Sequence, residues 1–141
     1  MRLVFVICAF VTTTVRAQAP SDDSNIACVE RLAIPTYPRV ARAVSIDGTV
    51  KVKVQLASDA SVLKVTTEVV SRFTGAKDLL AGPIEDQIRS VKFRSECGGK
   101  LVALVFQFEL HGKGMPSPKE TSEFSYPNTF RIISEPQLAQ P

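Results

Sequence analysis

Tryptophan is absent from this chain of 141 residues, and there are only one histidine and three cysteines. The lone His111 has no second imidazole to share a metal with. The cysteines show no Cys-x-x-Cys spacing, so neither a zinc cluster nor a thioredoxin-like redox pair is expected. Nucleophile–base catalysis needs a base held in place by a neighbour, and His111 falls where the composition turns to Gly, Pro and Ser. Of the acidic pairs, Asp22-Asp23 lies in a polar stretch. Glu85-Asp86 lies near a helix start, where carboxylates favour the dipole. Gly98-Gly99 reads as a turn and not as a phosphate loop. The sequence therefore predicts no catalytic residue, no metal and no cofactor: the chain is not read as an enzyme. Runs of Lys or Arg are also missing. The 17 basic and 14 acidic residues are scattered, for a net charge of +3, and no basic-aromatic stripe marks a nucleic-acid surface. No apolar run approaches the roughly 20 residues of a spanning helix, so the mature chain is expected to hold no stable membrane span.

What the sequence does contain begins at its start. Arg2, the apolar run Leu3–Val11 and small residues at Ala17 and Ala19 follow the basic, apolar, small order of a cleaved signal peptide. Residues 1–17 are read as that signal and 18–27 as a short polar linker, which places the protein in the periplasm or cell envelope. With Cys8 removed, Cys28 and Cys97 remain. In an oxidising compartment they are expected to form one structural disulfide. Closing so long a loop contributes roughly 4 kcal/mol in the chain-entropy model.

The fold is legible in the periodicity. Ile34-Pro35-Thr36-Tyr37-Pro38 is extended, and Pro38 leads a short helix, Arg39–Val44, with Val40, Ala41 and Val44 as its buried stripe. After Asp47-Gly48 comes strict alternation: Val50, Val52, Val54 and Leu56 against Thr49, Lys51, Lys53 and Gln55, a half-buried strand. Ala57-Ser58-Asp59-Ala60 turns the chain into a second strand, Ser61 to Val70. A helix follows to Val91, with Gly82-Pro83 delaying its regular part to Pro83. The third strand is Lys100–Leu110. Its core face is Val102, Leu104, Phe106, Phe108 and Leu110; its other face is Leu101, Ala103, Val105, Gln107 and Glu109. This predicts an α+β fold, a three-stranded antiparallel sheet with two helices on one face, over residues 28–110. Residues 111–141 read as a tail outside the core, in which 129–134 is a β-prone island able to add a strand.

In order and spacing, Tyr37-Pro38-x-x-Ala41-Arg42, then Ile46-x-Gly48-x-Val50-x-Val52-x-Val54, then Phe93 and the apolar strand to Leu110, resemble the C-terminal domain of TonB-family proteins. The resemblance runs from Tyr37 to Leu110. It departs at Val91, where the family carries Trp, at Ala60, where it carries Gly, and at Gly82-Pro83. It implies a protein-interaction module in which an extended segment of an outer-membrane receptor pairs with the margin of the last strand, Leu101–Leu110. That is strand addition, with affinity from backbone groups. It also implies a link to TonB-dependent transport, although about ten linker residues span at most about 35 Å and would not carry a motor's pull across the periplasm. Two alternatives stand beside it: a structural or self-associating envelope scaffold, including a homodimer, and a 129–134 strand that folds back onto the margin and occupies it.

Overall fold

The structure, a computed structural model, describes residues 26–138. The expected signal peptide and nearly all of the linker lie outside them. Among the described residues no helix is long and apolar enough to cross a membrane.

A 3-10 turn, Ile26–Cys28, leads into β1 (Val29–Arg31). The extended 32–38 segment then reaches α1 (Arg39–Ala43). The alternating run forms β2 (Gly48–Leu56) and pairs antiparallel with β3 (Val62–Val70). Helix α2 (Ala76–Arg89) lies chiefly against β3 and returns the chain to β4 (Lys92–Phe93), which pairs with β1. Then come β5 (Leu101–Leu110), β6 (Glu120–Ser125) and β7 (Thr129–Ser134). The architecture is α+β, but the main sheet has five strands in the order β3-β2-β5-β7-β6. Only the β5–β7 contact is parallel; β6 lands one place beyond β5, and β7 fills the gap.

Three expectations need correction. The stripe assigned to α1 is wrong: Ala41 is buried, but Val40 and Val44 are 59% and 54% exposed. One turn of helix covers little. Tyr37 does most of the covering instead, its hydroxyl donating to the Ile46 carbonyl at 2.8 Å while its ring meets Phe108 edge-on at 5.3 Å. Helix α2 begins at Ala76, well before Pro83, because Gly75 supplies a left-handed start at φ 82° and the turn absorbs the one amide that proline lacks. The core also continues past residue 110. Phe130, Ile132 and Ser134 of β7 are buried, so the supposed tail supplies two of the sheet's strands.

The inner face joins Val50, Val52, Val54 and Leu56 to Val102, Leu104, Phe106 and Phe108, under Leu80, Ile84 and Ile88 of α2, in one cluster. Gly48 is demanded by closeness: a Cβ there would sit 2.9 Å from both Ser71 Cβ and the Val70 carbonyl oxygen. Ala60 holds φ 63° in the hairpin turn, a left-handed conformation that glycine would adopt without strain.

Candidate functional site

Cys28 and Cys97 form the expected disulfide, with Cα atoms 5.6 Å apart and both residues buried. The bond fastens the N-terminal turn to the segment that leads into β5. Of the residues that carry the resemblance, Tyr37, Pro38 and Gly48 shape the approach to β2, and Phe93 is buried in β4 opposite Val29. Burial, with repulsion from Asp47, keeps the Tyr37 hydroxyl protonated well beyond the ordinary tyrosine range.

The structure does not leave the Leu101–Leu110 margin open. β5 is the central strand: β2 lies on one side and β7 on the other, in register from Val105 opposite Thr129 to Leu110 opposite Ser134. The physical reason lies in the island's own alternation. Phe130 and Ile132 continue the inner face set by Phe106 and Phe108, and Phe130 stacks on Phe106 at 5.3 Å. Val105 N–H donates to the Asn128 carbonyl at 2.9 Å, and His111 N–H to the Ser134 carbonyl at 2.9 Å. Upstream of β7, the Asn128 side-chain amide donates to the Ala103 carbonyl at 3.2 Å. Leu101 and Val102 precede this cover, and Val102 and Leu104 are fully buried on the inner face. The expectation of an open margin is thus overturned, and the alternative, a 129–134 strand that occupies it, is what the structure holds over Val105–Leu110.

Charges fix the hairpin in place. The Arg131 guanidinium straddles the Glu109 carboxylate with two contacts of 2.8 Å and reaches Glu123 at 3.4 Å. Hydrogen bonding from Arg131 is the main reason that the Glu109 carboxyl titrates below the usual glutamate range, with His111 adding to it at 2.9 Å. At the other end Glu120 accepts from the Tyr37 backbone N–H at 3.0 Å and pairs with Arg42 at 3.6 Å.

The open margins of the sheet are thus β3 and β6. Which backbone groups they present follows from parity. The β5–β7 contacts and the Glu135 N–H bond to the Lys119 carbonyl turn the odd residues of β6 inward. Ser122 and Phe124 therefore aim their N–H and C=O outward, and both side chains are exposed. Beside Phe124 lies an apolar cleft of about 250 Å³, lined by Val29, Glu30, Leu32, Phe124 and Phe130. Phe124 tilts onto Phe130 at 4.9 Å and forms its wall. A larger cleft, about 400 Å³, is lined by Leu32, by Gln87 of α2 and by Val91 just beyond that helix. Sequence reasoning missed β6 because Glu120–Ser125 is polar and has low strand propensity. The turn signal Pro127-Asn128, placed just before the β-prone island, was the available hint of a hairpin.

His111 sits exposed at the end of β5 with Glu109, and among the described residues no three metal-binding side chains gather. Against protein-family models, curated proteins and solved structures alike, the chain gives no match.

Proposed function

We propose that the chain is an exported protein-interaction module, similar to the TonB C-terminal domain, that captures an extended segment of an envelope protein such as an outer-membrane receptor. Strand addition remains the mode, moved outward by two strands: with β7 seated on β5, the receiving margin on that side of the sheet is β6. The observation that carries this reading is the pairing of an unpartnered strand margin at Ser122 and Phe124 with an apolar cleft beside it. An added strand would bond to those outward backbone groups. Its residue opposite Phe124 would share the inner face and enter the cleft against Val29, Leu32 and Phe130. Backbone bonds give affinity at about 0.5–1.5 kcal/mol each, and the cleft selects an apolar side chain. Binding should be weak, on the order of micromolar or weaker.

The test is a titration of isotope-labelled protein lacking residues 1–17 with synthetic peptides from outer-membrane receptors, read by amide shifts. Shifts are expected at Ser122, Phe124 and Leu32. Phe124→Ala should weaken binding about tenfold, for about 1.4 kcal/mol of lost apolar contact. Ser122→Pro should weaken it by removing one outward N–H, while the bonds to β7 stay intact. Peptides at millimolar concentration that leave the β6 amides unmoved would refute the reading.

A further inference from the structure

We infer that the opposite margin, β3, is a self-complementary dimer surface that joins two copies of this chain into one continuous sheet. β3 runs nine residues, Val62–Val70, without proline, and five of the nine are Val or Leu. Among the described residues nothing pairs with its outer side. Long, β-branched margins of this kind are templates for another strand, and here the deterrents are a bulge confined to the first two residues, Val62 and Leu63, and two charges, Lys64 and Glu68, neither in an ion pair among the described residues. Leu63 and Val70 are 65% and 52% exposed.

The register over the regular part of β3, from Lys64 to Val70, is fixed by two independent constraints. First, the bond from Leu56 N–H to the Lys100 carbonyl turns the even residues of β2 toward β5, which leaves its odd residues bonding to β3. Their partners on β3 are Lys64, Thr66, Glu68 and Val70. Val65, Thr67 and Val69 therefore carry the outward N–H and C=O groups, and a second strand must match odd to odd. A bulge at Val62–Leu63, where Leu56 pairs with Val62 directly after Gln55 pairs with Lys64, ends that regular part. Second, a two-fold axis through Thr66 with antiparallel strands sets Lys64 of each copy against Glu68 of the other, twice over, with Thr66 facing Thr66. Moving the axis to Lys64 or Glu68 opposes like charges; moving it to Val65 or Thr67 sets Thr66 against one of the two charges. Bond direction and charge select one arrangement. Opposite charges and Thr–Thr pairs directly across strands are favourable, and like charges are unfavourable.

Because β3 and β6 are opposite margins, this inference is independent of peptide capture and is tested separately. Sedimentation velocity of the chain lacking residues 1–17, over a concentration series, should show a monomer–dimer equilibrium. Lys64→Glu alone and Glu68→Lys alone should each raise the dissociation constant at least about tenfold, since each turns two attractive pairs repulsive. The double exchange, Lys64→Glu with Glu68→Lys, should restore it. Thr66→Cys should cross-link two copies on oxidation, while Lys53→Cys, one strand away from the margin, should not. Circular dichroism of each variant checks that the fold survives. A chain that stays monomeric throughout, or a dimer indifferent to both charge reversals, overturns the assignment.

Discussion

The two neighbours of β5 do the same structural work from unlike sequences. β2 announces itself: four β-branched or leucine side chains alternate with polar ones, and all four are buried. β7 is six residues long and comes from a stretch rich in Ser, Pro and charge, yet Ile132 is as fully buried as Leu104 or Val52. The antiparallel side is held by apolar area and continuous backbone pairing. The parallel side adds charge to a smaller apolar contribution: Arg131 on Glu109, and Arg42 and the Tyr37 amide on Glu120. Completing a sheet does not require a composition that looks like a strand; it requires two or three correctly spaced apolar residues and anchors at the ends.

The comparison breaks most severely if residues after Gly114 are deleted. Losing Phe130 and Ile132 alone forfeits several kcal/mol of burial, against a total stability of about 5–15 kcal/mol for a domain. Urea unfolding of the truncated chain should lose its cooperative transition. A truncated chain that unfolds cooperatively at nearly the same midpoint would mean that β7 is an accessory, and would restore the β5 margin as a receptor seat.

A finer test sets Ile132→Ala against Leu104→Ala. Both side chains are fully buried, so each substitution should cost about 2–5 kcal/mol in urea unfolding. A cost for Ile132→Ala several-fold below that for Leu104→Ala would show the parallel flank to be loosely packed despite its burial.

The smallest effect is electrostatic and belongs to β7 alone. Pairing with Arg131 depresses the folded-state pKa of Glu109 below its unfolded value. The stabilisation is therefore present above the ordinary glutamate value of about 4.3 and is lost as pH falls through the lower folded value. The urea midpoint of the wild type should decline over that acid range more steeply than that of Glu109→Gln. Parallel curves would show that the ion pair contributes nothing, as many exposed pairs do.

Between Tyr37 and Leu110 the three long strands were legible, while the buried face of α1, the start of α2 and the short β4 were not. Alternation at period two located β2, β3 and β5 to within a residue or so, and Cys28 with Cys97 were paired correctly, because assigning Cys8 to a signal peptide left one choice. Thr129–Ser134 was read only as a β-prone island able to add a strand; in the structure it is β7, with Phe130, Ile132 and Ser134 on one buried face. What periodicity does not carry is lateral order. Nothing in the spacing of β5 says which strand sits on its far side, and a parallel neighbour arriving from downstream has no local signature. β6 was hidden because an outermost strand with one short side against β7 needs little apolar content, so Glu120, Ser122 and Glu123 look like loop. The candidate site moved with that error, from the strand that seemed last to the one that is outermost.

The Cys28–Cys97 bond has a mechanical consequence. Tension applied ahead of Cys28 passes through the two sulfurs to Cys97 and bypasses residues 29–96, so β1 to β4 and both helices carry none of it. The load enters at the start of β5 and leaves at the far end of β7. Because those strands are parallel, their hydrogen bonds are strained together in shear and are not peeled one at a time.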